Sequence, residues 1–139
     1  TPTPEPQVEN VSLYYYNPSL DVDESGNLMC SKLGLSPVER TIPASGTIIQ
    51  DTMELLLQGN LTEEELASGI STEFPLEDLE LVSVALEDGN LTLGFEDPLL
   101  QTSGGACRAS ILWFQIEATA KQFEEVQKVN FSPDSLFQP

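Results

Sequence analysis

The side chains that could carry chemistry in this chain are carboxylates and two cysteines, because the sequence contains no histidine. Without an imidazole, a Ser-His-Asp or Cys-His nucleophilic arrangement and a histidine-ligated metal site are excluded. The 23 acidic residues could supply the acid and base of a glycoside hydrolase, but no spacing singles out a pair with separated pKa values. We therefore predict no catalytic residue.

An acidic loop at 21–27 matches the first half of a calcium-binding loop. Oxygen-bearing side chains alternate from Asp21 and Asp23, and Gly26 stands at the sixth position, where such loops need a turn. The twelfth position is Lys32, where a bidentate glutamate is required. An ordinary acidic turn is favoured over weak cation binding. We predict no metal site, and since no phosphate-binding glycine motif is present either, no cofactor.

The two cysteines, Cys30 and Cys107, stand alone in the sequence and leave two alternatives open. Outside the cytoplasm they would meet as one disulfide, which would stabilise the fold by roughly 4 to 5 kcal/mol on a chain-entropy estimate. Otherwise they are two buried, inert thiols.

Three residues are candidates for an interaction surface. Arg40 and Arg108 stand out because the chain has only five basic residues. Each arginine is predicted to pair with a neighbouring carboxylate. The alternative is that it binds an anionic ligand. Phe114 falls on the opposite side of a predicted long helix from Leu112 and Ile116, and so is predicted to face outward.

Charge and hydropathy restrict the partners. A net charge of -18 repels phosphate backbones, so we predict no nucleic-acid partner, and an anionic membrane surface is disfavoured likewise. No apolar run is long enough to span a bilayer, so membrane attachment would use an anchor outside these residues. The proline-rich opening at 1–7 is typical of a semi-rigid tether following such an anchor or signal, with a cytosolic protein as the alternative.

Helix signals occur at three places. Thr47 with Gln50 has capping-box spacing and Gly59 supplies a stop, which predicts a first helix between them. Thr62 with Glu65 repeats the capping pattern and predicts a short second helix. Amphipathic spacing over 106–123 predicts the long core helix.

Strand patterns complete the predicted order β, β, α, α, β, β, α, β. Alternating apolar residues mark strands over 8–16, within an extended stretch at 29–43, over 79–87 and 91–95, and over 126–131. The dipeptide Asp88-Gly89 predicts a tight hairpin. This order predicts an α/β (α+β) domain over 8–132, a small mixed sheet with helices packed on one face, followed by a C-terminal tail at 133–139.

Several of these segments, in order, resemble the GerMN domain family of sporulation and spore-germination proteins. The similarity lies in the opening strand, a Pro-Val-x-Arg segment, a helix end, the hairpin and the last strand: Val11–Tyr16, Pro37–Arg40, Leu56–Glu65, Ser83–Phe95 and Val126–Phe131. The resemblance implies a fold similar to ring-building motifs and a domain of cell-envelope or secreted proteins, often anchored by a lipid or a transmembrane helix, without established catalytic residues.

This chain departs from the family's sporulation member GerM in having one copy of the domain and a cysteine pair, so sporulation itself is not implied. The predicted function is a non-catalytic binding or assembly module of a cell-envelope or secreted protein, acting through a protein partner or self-association. The alternative is a domain that binds a cell-wall glycan, a peptide or a small molecule. A carboxylate-dependent hydrolase is the third hypothesis.

Overall fold

The computed structural model describes residues 8–44, 46–102, 105–132 and 136–137. The predicted tether at 1–7 and most of the predicted tail lie outside the described residues. The predicted order of strands and helices is confirmed: β1 Val8–Tyr16, β2 Leu35–Pro43, α1 Ile48–Gln58, α2 Glu63–Ala67, β3 Glu80–Glu87, β4 Asn90–Glu96, α3 Ala106–Lys121 and β5 Lys128–Ser132. None of the helices in these described ranges is long and apolar enough to cross a bilayer.

The first two strands form an antiparallel pair, in which Leu13 lies opposite Val38. Side chains on β1 alternate as the sequence predicts, with Val11, Leu13 and Tyr15 buried. The extended stretch predicted from residue 29 becomes regular strand only at Leu35, because a short 3₁₀ turn at Lys32–Gly34 precedes it.

The other three strands form a second sheet in the order β3-β4-β5. The predicted hairpin is confirmed, with Asp88 and Gly89 at φ 51° and 83° in its turn. β5 runs parallel to β4, so this sheet is mixed. The predicted α+β class is therefore confirmed, with the strands of the described residues divided between two small sheets.

The core lies between the sheets and α3. Buried side chains of α3, among them Leu112, Ile116 and Ala120, share one cluster with Leu13 of β1 and Leu93 of β4. Burial of this apolar surface is the main source of stability.

The core also reaches past the predicted domain boundary at residue 132. Leu136 and Phe137 are buried, and the Phe137 ring lies 5.5 Å from that of Phe95 and 4.9 Å from that of Phe131. Part of the predicted tail is thus packed within the domain.

The helix ends follow the sequence signals except at one position. Gly59 ends α1 in the left-handed conformation, at φ 64°. Thr62 and Glu65 form the predicted capping box at the start of α2. The box predicted for Thr47 and Gln50 is wrong, because Thr47 has ψ 37°, outside the extended region that a capping side chain needs. Its hydroxyl donates to Asp51 instead.

Candidate functional site

The free edge of β1 is covered by side chains of the long helix. The Ser12 N–H donates to Oε1 of Gln122 at 2.9 Å, and Nε2 of Gln122 donates to the Ser12 carbonyl oxygen at 2.7 Å. The Tyr14 N–H donates to Oγ1 of Thr119 at 2.9 Å. Backbone groups that would otherwise be open to another strand are therefore satisfied within the domain.

The outer edge of β3 has no such cover among the described residues. β3 lies at the end of its sheet, bonded to β4 alone in this part of the chain. It contains no proline and no lysine, the residues that commonly protect edge strands. The side chains of Val82 and Leu86 are 53% and 39% exposed. β3 is thus an open edge of the described fold.

The hairpin register shows which backbone groups of β3 face outward. Glu87 and Asn90 flank the two-residue turn and pair with each other, which makes them a hydrogen-bonded pair. Because such pairs alternate along an antiparallel ladder, the N–H and C=O groups of Val84 and Leu86 point away from β4. A shift in register between Leu81 and Ser83 interrupts the ladder, so the regular open edge spans 83–87.

An apolar groove lies beside this edge. It has a volume of about 310 Å³ and is lined by Val84 and Leu86 of β3, by Glu125, and by the entry to α1 at 46–50, where Ile48 and Ile49 stand with the polar Thr47 and Gln50. Val84 and Leu86 lie opposite the buried Leu93 and Leu91 of β4, so they belong to the inner face of the sheet. At β3 this inner face is only partly covered and forms one wall of the groove.

Carboxylates surround the groove and the edge. Glu80 and Glu87, at the two ends of β3, are exposed, and Glu125 lines the groove itself. Four of the five basic residues form ion pairs on other elements: Lys32 and Lys121 with Glu117, Arg40 with Glu65, and Arg108 with Glu73. The fifth, Lys128, begins β5, and β4 separates it from β3. The surface beside β3 is therefore acidic.

Arg40 pairs with a carboxylate, as predicted. Its guanidinium binds both oxygens of Glu65, at 2.6 and 2.7 Å, and Nη2 also donates to the Asn60 carbonyl oxygen at 3.0 Å. The hydrogen bonds and charge of Arg40 lower the pKa of Glu65 to about 2. Because Glu65 is also part of the α2 capping box, this ion pair fastens α2 to β2.

Arg108 and Phe114 lie in two further, separate clusters. Arg108 donates through Nε to Glu73 at 2.6 Å, so it too pairs with a carboxylate, as predicted. Phe114 is partly exposed, with Lys32 Nζ 5.4 Å from its ring centre. Lys32 also bonds Glu117 at 3.1 Å. Arg40, Arg108 and Phe114 thus interact with different residues. They do not come together in one site.

The acidic loop behaves as a turn. Oδ1 of Asp23 accepts the N–H groups of Ser25 and Asn27, at 2.8 and 2.9 Å. Asp21 is fully buried and points the other way, accepting hydrogen bonds from Ser31 and from the Tyr16 hydroxyl. The two carboxylates therefore do not converge. The described residues contain no group of three potential metal ligands.

Hydrogen bonds keep the buried Asp21 ionised. Burial by itself would raise its pKa, but the bonds from Ser31 and Tyr16 outweigh that effect and hold the pKa below its usual value. Burial and the neighbouring Asp21 carboxylate raise the pKa of Tyr16. The backbone N–H of Met29 donates to the Asp21 carbonyl oxygen at 2.9 Å, so Asp21 organises the loop that leads to Cys30.

Cys30 and Cys107 form a disulfide, with their Cα atoms 5.3 Å apart. This is the paired alternative of the two left open by the sequence. The bond connects the loop after β1 to the first turn of α3 across 77 positions of chain.

The groove beside β3 could not be located from the sequence. No local signal distinguishes Val84 and Leu86 from core residues, because both belong to the apolar alternation that predicts a strand. The sequence likewise does not predict that Gln122 and Thr119 cover β1. Their polar side chains beside the inner face of an amphipathic helix were the only available sign.

The fold is similar to that of sporulation proteins of known structure. Tandem GerMN domains of GerM from Bacillus subtilis match with a TM-score of 0.63 and 21% identity, over 95% of this chain and 41% of that one. The first GerMN domain of the same protein matches with a TM-score of 0.54 and 18% identity, over 87% of this chain and 80% of that one. At these identities the likeness shows the fold.

This chain spans less than half of the tandem GerM structure. A search of the curated proteins gives no match. The family model Germane, described as sporulation and spore germination, matches residues 12–135. Because this match covers nearly the whole chain and agrees with the fold, the protein belongs to the Germane family of GerMN-type domains.

Proposed function

We propose that this chain is a non-catalytic, protein-binding module of a cell-envelope or secreted protein. The observation that carries the proposal is the open edge of β3 beside an apolar groove. The same fold covers the edge of β1 with Thr119 of α3 and with Gln122, the residue that follows α3, so the contrast between the two edges lies within one domain.

An open strand edge offers a direct mode of protein recognition. The outward N–H and C=O groups of Val84 and Leu86 can bond an extended segment of a partner, as in β-strand addition. The groove can receive apolar side chains of that segment, because Ile48 and Ile49 face Val84 and Leu86 across it. Backbone bonding would supply affinity and the groove would supply specificity.

Two observations support a location outside the cytoplasm. The Cys30–Cys107 disulfide is a bond that persists in oxidising compartments and is rare in the cytosol. The family is described by sporulation and spore germination, processes that take place in and around a cell envelope. A lipid or transmembrane anchor, which the resemblance to the family leads us to expect, would lie outside these residues.

The aromatic rings lie mainly in the core and do not form an exposed ligand-binding surface. Every Phe, Tyr and Trp residue is among the described residues, and each is buried or only partly exposed. Tyr15, for example, is fully buried, and its hydroxyl donates to the Leu56 carbonyl oxygen at 2.9 Å. Exposed rings with a polar tip are the side chains suited to wet interfaces, whereas here the rings belong mainly to the core.

Site-specific photo-crosslinking in intact cells tests the proposal. A photo-reactive phenylalanine analogue would replace Leu86 in the full-length protein, and Leu66, which is 55% exposed on α2, would serve as the control position. A discrete protein adduct from position 86 and none from position 66, with the partner identified by mass spectrometry, is expected. A glycan adduct at position 86 would support the alternative ligand class, and identical adducts at both positions would contradict a site at β3.

A further inference from the structure

We propose that the β3 edge binds a basic, extended polypeptide segment in which apolar and cationic side chains alternate, added to the sheet as an outer strand. This inference rests on the proposed function and specifies the chemistry of the partner. It is carried by three properties of the described residues: the outward backbone groups of β3, the apolar groove beside them, and the carboxylates around both.

The regular edge fixes the length and pattern of the added strand. It runs from Ser83 to Glu87, because the register shift before Ser83 ends the regular ladder. A partner strand along it would therefore be about five residues long, or roughly 17 Å at the rise of an extended chain. Side chains of a strand alternate between its two faces. Every second partner residue would thus lie on the side of the groove and the others on the outer face of the sheet.

The groove selects apolar residues on the inner side of the added strand. Val84 and Leu86 are partly exposed there, although their cross-strand neighbours Leu93 and Leu91 have no exposed surface. A partner side chain that covered this wall and Ile49 would remove apolar surface from water. Each buried methylene would strengthen binding about fourfold.

The charges select cationic residues for the remaining positions. Glu80 and Glu87 stand at the ends of β3 and Glu125 lines the groove, whereas four of the five basic side chains are ion-paired elsewhere. Lys or Arg residues of a partner would lie in a field of uncompensated carboxylates. Opposite charges across neighbouring strands stabilise pairing, and the net charge of -18 speeds association with a cation.

The same charges disfavour a second copy of this chain as the occupant. In a parallel, in-register β3–β3 pair Glu87 would lie directly beside Glu87 of the copy. Like charges directly opposite each other destabilise strand pairing, and the two copies would each bring a net charge of -18. A basic partner avoids both costs.

The first experiment uses two capped octapeptides that differ only in the sign of their charge, one alternating Lys and Val and one alternating Glu and Val. Binding to the isotope-labelled domain would be followed by amide chemical shifts and calorimetry at low and high salt. The Lys-Val peptide is expected to bind, to shift the amides of Val84 and Leu86, and to lose affinity at least about tenfold in high salt. The Glu-Val peptide is expected not to bind.

Variants separate strand addition from general attraction to an acidic protein. Val84→Pro removes one outward N–H without breaking a bond to β4 and should weaken Lys-Val binding about tenfold or more. Leu86→Lys places a cation in the groove and should also weaken binding of the Lys-Val peptide. This variant still tests the inference if the proline variant fails to fold. The double variant Glu80→Gln/Glu87→Gln should weaken binding more than the double variant Glu9→Gln/Glu24→Gln. The second is the control, because it changes the net charge by the same amount at sites away from β3.

Three results would overturn the inference: equal binding of both peptides, shifts that map away from β3, or a folded Leu86→Lys variant that keeps full affinity. These results are distinguishable from failure of the proposed function. The partner crosslinked at position 86 in cells could lack a basic extended segment. That result would support the proposed protein-binding function and contradict only the partner chemistry inferred here.

Discussion

The side-chain amide of Gln122 bonds both backbone groups of Ser12, accepting from its N–H at 2.9 Å and donating to its carbonyl oxygen at 2.7 Å. One residue after α3 thereby occupies the place that a neighbouring strand would take beside β1. Nε2 of Gln122 also donates to the Thr119 carbonyl oxygen at 2.7 Å, which holds the amide in position. The pair joins segments 110 positions apart.

Replacing Gln122 should therefore open the edge of β1. We expect Gln122→Ala to lower the free energy of unfolding by about 1–3 kcal/mol, because two part-buried backbone groups lose their partners. Urea denaturation measures this change, and hydrogen exchange of the Ser12 amide should become faster. Gln50→Ala, on the exposed side of α1, is the control and should change stability little. Unaltered protection of Ser12 would contradict this role.

The ion pair of Arg40 and Glu65 should make the free energy of unfolding depend on pH. The pKa of Glu65 falls from 4.5 to about 2 in the folded chain, so its contribution is complete above about pH 4.5 and is lost as the pH falls through 2. We expect Arg40→Ala to lower the free energy of unfolding by on the order of 2 kcal/mol at pH 7. The difference in unfolding free energy between the variant and the unmodified chain should shrink towards pH 2.

The measurement is urea denaturation of both proteins at several pH values. Arg108→Ala is the matched control, since Arg108 and Glu73 are 28% and 46% exposed and such a pair contributes up to about 1 kcal/mol. A difference between Arg40→Ala and the unmodified chain that stays constant from pH 7 to pH 2 would exclude Glu65 as the source of the effect.

Asp21 should be needed as a charged acceptor. Asp21→Asn removes the charge and replaces one accepting oxygen by a donor, either Oδ1 at the Ser31 hydroxyl or Oδ2 at the Ser31 N–H and the Tyr16 hydroxyl. We therefore expect the free energy of unfolding to fall by about 1–3 kcal/mol. Asp78→Asn, an exposed substitution at φ 59°, should be nearly neutral because asparagine tolerates that conformation. Thermal and urea unfolding of the two variants measure the difference, and equal stabilities would refute the buried acceptor role.

Gly59 should not tolerate a side chain. Its φ is 64°, and an added Cβ would collide with the Phe74 carbonyl oxygen. We expect Gly59→Ala to destabilise the fold by about 2–4 kcal/mol, since backbone must move. Gly46→Ala is the control, because a Cβ there meets nothing within 4 Å. Calorimetric melting of both variants tests this expectation, which fails if their melting temperatures agree.

Loss of the Cys30–Cys107 bond should weaken the fold without changing it. The bond closes a loop of 77 positions, for which the chain-entropy estimate is about 4–5 kcal/mol. Urea denaturation of the Cys30→Ser/Cys107→Ser protein, and of the unmodified chain with and without a thiol reductant, measures the loss. Two thiols that react in the urea-unfolded chain before any reductant is added would show that the bond is absent.

The local features of this fold follow from short stretches of sequence. The tight turn at Asp88-Gly89, the stop at Gly59 and the capping box of Thr62 and Glu65 each depend on backbone conformations that a few neighbouring residues determine. Thr47 does not form the predicted cap, because the path of the chain into α1 sets its ψ angle, and the spacing of Thr47 and Gln50 carries no information on that path. Local chemistry therefore predicted where helices and strands occur, and missed one cap.

By itself the sequence determined the order of the elements, the inward face of β1 and α3, and the absence of histidine chemistry, because these depend on residue type and periodicity. Only the tertiary structure decided that the edge of β1 is covered and that of β3 is not. Gln122 reaches Ser12 across 110 positions, whereas among the described residues β3 pairs with β4 alone. Covering an edge requires contact between distant segments, and a distant contact leaves no periodic signal in the sequence.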